Sequence, residues 1–368
     1  MQSNKLRMAI RATAAMTVLS LASQANAFTV NAGDVEAKIY GYAQLTATYD
    51  MNEDISGPAL EGSFGDLGGT DEDIEGHFAG TANQSRLGVS LTHPQGVKAT
   101  IEGDFYQGDF RLRHAFGEYK GFLAGQTWSN YNSFVGTPSL LDFNGAAGTA
   151  GRQLRNAQVR YTTGTLSFSA EEPSDAGVIG GSQKTGTPTF TVRMEDAQGG
   201  LSYSVAAMAK QVSSDDGTDD DSAIGYGAFG AVKMKVSDMI TLQGTINYVD
   251  GGGSYLYQSG MSDAYMDGDS IETIAGYGGS VGVGVGLGGG RSLNLGLGMT
   301  EVDWDDAESD GIAVGGEDET RQNLFLNYQW SPVKNVMMGI EYGYWKAETV
   351  DGDSADANRV MYVSRYSF

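Results

Sequence analysis

Basic side chains recur along this chain in phase with its polar residues rather than its apolar ones. By that parity thirteen share the polar face: Lys38, Arg86, Lys98, Arg111, Arg113, Arg160, Arg193, Lys210, Lys233, Lys235, Arg321, Arg359 and Arg365. A guanidinium stays charged at every relevant pH and offers paired donors that match a carboxylate. Repeated along a water-filled surface, such groups would hold small anions. The clear acids of the same parity are Glu36, Glu102, Asp104 and Glu341. Most other acids crowd the connectors, among them Asp71 to Asp73, Asp215-Asp216, Asp219 to Asp221, Asp305-Asp306, and Asp351, Asp353 and Asp356.

Other chemistry finds little support. A hydrolase needs a histidine beside a nucleophile or a water. His77 falls in an acidic connector, His93 in a tight turn, and His114 on the apolar parity of its segment. The Gly-x-Ser-x-Gly spacing of Gly278 to Gly282 falls inside the glycine-rich 276–290 run, which reads as strand and not as an elbow. There is no phosphate loop or Cys/His zinc cluster, so the chain does not read as an enzyme and no cofactor is expected. Asp351, Asp353 and Asp356 are candidates for a loop-bound Ca²⁺, which wants several oxygens, but they do not complete an EF-hand loop. Solvated acidic loops, either salt-adapted or bridged to lipopolysaccharide by divalent cations, are the simpler reading.

The elements that must position these residues are strands. Ile240, Leu242, Ile246 and Tyr248 alternate with Thr241, Gln243, Thr245 and Asn247, and similar runs recur throughout. Period two means one dry face and one wet face. About sixteen such runs are present, near 35–50, 82–92, 97–106, 109–119, 121–128, 155–163, 165–172, 188–197, 200–212, 223–236, 239–249, 271–286, 291–302, 319–330, 335–347 and 359–368. Tight turns alternate with mostly long connectors, and most runs reach the length needed to cross hydrocarbon at a tilt. The fold class is therefore all-β: a transmembrane antiparallel β-barrel. Tyr49, Trp128, Trp304, Trp330 and Trp345 sit near strand ends, as an interfacial girdle would require.

Composition agrees. Lys5, Arg7 and Arg11 precede an apolar stretch and the small-x-small site Ala25-Asn26-Ala27, so residues 1–27 read as a cleaved signal peptide and 28–368 as the barrel. No later segment offers roughly 18 consecutive apolar residues, which excludes a helical membrane protein. Without the leader 20 basic residues face 46 acidic ones. Nucleic acid is thereby excluded as a partner. Exclusion of charge from lipid would by itself put strand cations on the wet face. It does not explain why so few acids join them.

The connector 129–153 is apolar for an exposed loop, with Phe134, Leu140, Leu141 and Phe143. Inside a barrel it would fold against the wall and narrow the lumen; otherwise it is a plain external loop.

These residues resemble the sixteen-stranded trimeric porins of Gram-negative outer membranes. Ser85-Arg86-Leu87-Gly88-Val89 and Arg113-His114-Ala115-Phe116-Gly117 look like the strand motifs that supply ladder arginines there, and Arg155 matches a third. More closely, Arg111 to Tyr119, Leu123 to Asn130, Leu141-Asp142-Phe143-Asn144-Gly145 and Gln158-Val159-Arg160-Tyr161 look like the DcaP-like porins, linked to dicarboxylate uptake. The specific match covers roughly residues 80–172. The resemblance implies an inward-folded third loop, a homotrimer and an outer-membrane location. It also implies a constriction in which Arg86, Arg111, Arg113, Arg155 and Arg160 face loop 129–153 and its Asp142.

The expected function is passive diffusion of small hydrophilic solutes, favouring carboxylates and dicarboxylates. The alternatives are a general or cation-preferring porin, and a closed structural or adhesin barrel.

Overall fold

The structure is a computed structural model describing residues 28–69, 75–218 and 220–368. The expected leader and Asp71 to Asp73 lie outside the described residues, as does Asp219. A hairpin joins β1 (Phe28–Ala32) to the start of β2 (Val35–Asp50). β3 (His77–Thr81) and β4 (Arg86–Thr92) are two parts of one wall strand, both antiparallel to β2. β5 (Lys98–Asp104), β6 (Arg111–Tyr119), β7 (Phe122–Trp128), β8 (Arg155–Thr163) and β9 (Leu166–Glu171) follow as successive neighbours. After the loop strand β10 (Val178–Ile179) the wall resumes with β11 (Thr189–Gln198), β12 (Leu201–Asp215), β13 (Asp220–Lys235) and β14 (Ile240–Asp250). β15 (Ala264–Asp267) and β16 (Ser270–Thr273) form a small loop sheet with β10. β17 (Ala275–Gly288), β18 (Arg291–Asp303), β19 (Asp318–Trp330), β20 (Val336–Thr349) and β21 (Ser354–Ser367) complete the wall.

β21 pairs with β2, and the sheet closes as a sixteen-stranded antiparallel barrel, with β1 an extra short strand beside the start of β2. Closure satisfies every wall ladder internally, which hydrocarbon demands. The outward parity carries Leu45, Ile224 and Ile246, all exposed, while Gln44, Thr46, Ser204 and Asn247 on the inward parity are buried. Short turns such as 93–97, 120–121 and 199–200 gather at one end. Eight connectors gather at the other, with these described residues: L1 (51–69 and 75–76), L2 (105–110), L3 (129–154), L4 (172–188), L5 (216–218), L6 (251–274), L7 (304–317) and L8 (350–353).

Two sequence expectations are corrected by loop packing. Trp304 and Trp345 do not belong to a lipid girdle; they are 3% and 1% exposed and lie in cores inside the barrel. Those cores exist because L1, L3, L6 and L7 turn inward. Inward positions on β12 to β14, such as Met208, Phe229 and Val249, pack on Tyr131 of L3 and Tyr255 of L6. Phe325 and Trp345 pack on Ile55 and Phe64 of L1.

Candidate functional site

L3 descends into the lumen, as expected, and is fastened along its length. Asn130 donates its backbone N–H to Glu171 Oε1 (2.6 Å), and Tyr131 donates its hydroxyl to Asn247 Oδ1 (2.8 Å). Further along, Asn327 Nδ2 donates to the Ser139 carbonyl (2.9 Å). The glycine-rich β17 and β18 make room for this crossing. A Cβ at Gly282 would stand 2.8 Å from Pro138, and one at Gly298 2.4 Å from the Ala147 nitrogen.

L1 also enters the lumen, which parity alone did not foretell. Arg359 holds it, donating to both Asp50 oxygens, to Ser56 Oγ (2.8 Å) and to the Leu60 carbonyl (2.9 Å). Arg359 therefore fastens a loop and does not line the passage: its side chain is 1% exposed.

The other arginines form a row across adjacent strands. Tyr42 pairs with Arg86, Arg86 with Asp104, and Asp104 with Arg111, each directly opposite across the ladder from β2 to β6. Arg365 on β21 stands opposite Gln44 on the other edge of β2. Arg155 on β8 stands opposite Trp128 on β7. Aromatic rings punctuate the row. Guanidinium carbons lie 4.4 Å (Arg365) and 5.1 Å (Arg86) from the Tyr42 ring centre, 3.9 Å (Arg111) from Tyr106, and 4.5 Å (Arg155) from Trp128. Arg155, whose place the motif suggested, thus joins the row by stacking on Trp128.

The charges are unevenly compensated. Arg113 meets Asp104 at 2.6 Å and Glu102 at 3.2 Å, and Arg111 meets Asp104 at 2.7 Å. Among the described residues Arg86 reaches one carboxylate, Glu102, 3.4 Å from its buried Nε and without hydrogen-bond geometry. Among the described residues Arg155, Arg160 and Arg365 meet no carboxylate within 4 Å. Arg160 stands apart from the row, toward the short-turn end, within reach of the charges of Arg193, Glu171, Glu118 and Glu195.

Between Glu102 and Gly103 the ladder shifts register, so that Arg113 is an extra residue on β6. A bulge of this kind re-aims the next side chain. His114 consequently turns inward, against the expectation from its parity. Its Nδ1 lies 2.9 Å from Thr127 Oγ1 and its Nε2 4.0 Å from Glu102.

Asp142 is not opposite the arginines, as the ladder expectation had it. Its carboxylate accepts the N–H groups of Gly62 (2.8 Å), Asn144 (2.9 Å) and Gly145 (3.0 Å), so it joins L3 to L1. Burial pushes this carboxyl up to about 6, although Arg359 and the donated N–H groups pull the other way. The neighbouring Phe143 is what L3 turns toward the row, 5.9 Å from Arg113 and 5.6 Å from the Tyr106 ring. Tyr106 in turn donates its hydroxyl to Glu61 of L1.

Among the described residues no group of three or more His, Asp or Glu side chains is arranged to hold a metal ion, at Asp351, Asp353 and Asp356 or elsewhere.

Residues 12–368 match the family model described as DcaP outer membrane protein. The crystal structure of the outer membrane channel DcaP of Acinetobacter baumannii is similar at 30% identity and a TM-score of 0.79, over 94% of this chain and 100% of that one. The anion-selective porin of Comamonas acidovorans (13% identity, TM-score 0.57, 91% of this chain and 100% of that one) shares the fold. So does OmpT of Vibrio cholerae in its trimer form (14%, 0.58, 91% and 100%). No curated protein matches the chain.

Proposed function

The chain belongs to the DcaP outer-membrane protein family and is an outer-membrane channel of the porin type, and from that premise we propose that it favours small anions, mono- and dicarboxylates first. One observation carries the reading. Five arginines, Arg86, Arg111, Arg113, Arg155 and Arg365, lie across neighbouring inner strands, and among the described residues two acids, Glu102 and Asp104, are paired with them. Next to a low-dielectric wall, that surplus attracts carboxylates whose paired oxygens fit a guanidinium. Contacts must remain weak, since a tightly held solute would not leave.

The acidic rim opposes anion influx at low salt, but its field fades beyond about 10 Å at 0.1 M salt. The second reading, a general pore with little selectivity, draws on the compensation of Arg111 and Arg113. The proposal includes removal of residues 1–27 as a leader. It also includes a homotrimer packed through an outer strip containing the small residues Gly41, Ala43 and Ala47 of β2.

The test is the reversal potential across a potassium chloride gradient in planar bilayers. Native channels should prefer chloride, and Arg155→Ser combined with Arg160→Ser should lower that preference. A native preference for potassium would overturn the reading.

A further inference from the structure

The row of arginines is not electrically uniform, and the difference follows from which strand carries each acid. β5 supplies both carboxylates, and both are taken up by its neighbours: Asp104 by Arg111 and Arg113, Glu102 by Arg113 at 3.2 Å and Arg86 at 3.4 Å. On the far side of β4 lies β2, whose inward residues here are Tyr42, Gln44 and Thr46, with no acid among them. Beyond it β21 brings Arg365. That guanidinium makes one hydrogen bond among the described residues, from Nε to Gln44 Oε1 at 2.6 Å. Its two terminal nitrogens have no acceptor described.

Arg365 is also aimed. Gln44 Nε2 donates to Gln84 Oε1 at 2.8 Å, and Gln84 Nε2 donates to the Ala59 carbonyl of L1 at 3.0 Å. The Gln44 oxygen is therefore committed to Arg365 by a buried chain that ends in an inserted loop. Tyr42, 8% exposed, supports Arg365 and Arg86 on one ring, at 4.4 Å and 5.1 Å. Two cations held beside one ring, one with only a 3.4 Å share of Glu102 and the other with no acid within 4 Å among the described residues, are short of negative charge. Held like charges of this kind gain most from an incoming anion.

We propose that Arg365 and Arg86, seated on Tyr42, form a carboxylate-binding subsite of the channel, with Gln44 as the residue that positions Arg365. The inference rests on the anion reading above and narrows it: Arg111 and Arg113 are spent on Asp104 and Glu102, Arg86 keeps a 3.4 Å share of Glu102, and solute selectivity belongs to the less compensated side of the row, where Arg365 and Arg86 flank Tyr42.

The experiment compares native channels with Arg365→Gln, Arg365→Lys and Gln44→Leu, reconstituted in planar bilayers after each variant is shown to insert. Potassium succinate added to one side is the probe, read as the concentration that half-saturates its effect on the chloride current. Arg365→Gln should raise that concentration by about tenfold, the order of one lost charge-assisted hydrogen bond. Arg365→Lys should lose part of the succinate effect, less than Arg365→Gln does, because an ammonium keeps the charge but lacks the paired donors. Gln44→Leu should weaken the succinate effect by less than Arg365→Gln, since it frees the guanidinium without removing it. If Arg365→Gln does not insert, the other two variants carry the same test. Unchanged succinate dependence in the variants that insert, with native channels still preferring chloride, would overturn the subsite and leave the anion reading standing. Native channels preferring potassium would overturn both.

Discussion

Glu341, on the inner face of β20, accepts the Leu141 and Asp142 backbone N–H groups at 2.8 and 2.7 Å, so one carboxylate of the wall holds the tip of L3. Asn327 Nδ2 donates to it as well, at 2.8 Å. Replacing Glu341 by Ala strands three buried donors, each costing roughly 1–3 kcal/mol. The expected result is a loosened L3, seen as larger open-channel current noise and a lower temperature of barrel unfolding. Noise and unfolding equal to native would show that the tip is held elsewhere.

Asp142 gives the L1–L3 joint a pH dependence. Burial raises its carboxyl to about 6, above the ordinary carboxylate range, so the folded state binds its proton more readily than the unfolded chain does. This group's contribution to stability is therefore most favourable at low pH and is lost as pH rises through about 6. Asp142→Asn should flatten the part of the stability profile between pH 4 and 7 that belongs to it. Native and variant profiles that stay parallel over that window would refute the assignment.

Arg113 is 1% exposed and bridges two acids, so its role is cohesion of the wall. Arg113→Ser leaves Glu102 and Asp104 without their shared cation, and breaking a buried pair costs about 3 to 5 kcal/mol. Folding yield should fall sharply. Adding Glu102→Gln and Asp104→Asn should restore much of it. A single variant that folds at native yield would show the pair to be solvated.

How much of this was legible in the sequence depends on the residue. Strict alternation placed the sixteen wall strands and the inward Arg86, Arg111, Arg113 and Arg365, because lipid outside and polar groups inside leave no other parity; Arg155 came from the motif resemblance alone. It failed for His114, since the extra residue at Arg113 has no signature in a single sequence. It also misassigned Trp304 and Trp345, because alternation cannot tell a lipid-facing ring from one buried under an inserted loop. One available signal went unused: Met208, Phe229, Val249 and Phe325 sit on the inward parity, where apolar side chains need something apolar to cover them. The reach of L1 and the station of Asp142 depend on hydrogen bonds between residues far apart in the chain, such as Arg359 to Ser56 and Asp142 to Gly62, and no local pattern records those.

Gly298 tests the room left for L3. A Cβ there would stand 2.4 Å from the Ala147 nitrogen and 2.7 Å from Asn323 Oδ1, which accepts that same N–H at 3.0 Å. Gly298→Val should displace this part of L3 and change single-channel conductance. Gly230→Ala, whose nearest neighbour would be Ile246 at 3.6 Å, should not. Equal conductance in both variants would mean that L3 adapts without moving the constriction.

Lys210 decides whether L4 and L6 are fixed or free. Its ammonium, fully buried, meets Asp263 at 2.7 Å and Asp175 at 2.9 Å and donates to the Ser174 carbonyl at 2.8 Å. Asp263 also accepts the N–H groups of Ala176 (2.9 Å) and Gly253 (2.8 Å), so a single wall lysine ties L4 to L6 through one carboxylate. Lys210→Met keeps most of the side-chain volume and removes the charge, leaving two carboxylates with reduced compensation. Asp263 retains its backbone donors while Asp175 loses its cation, so L4 should release first. Limited proteolysis of reconstituted channels should then cut within 172–188 well before 251–274, while the wall remains protected. Simultaneous cutting of both loops would mean that Lys210 holds them as one body. Resistance equal to native in both would show that the loop sheet of β10, β15 and β16 suffices without the lysine.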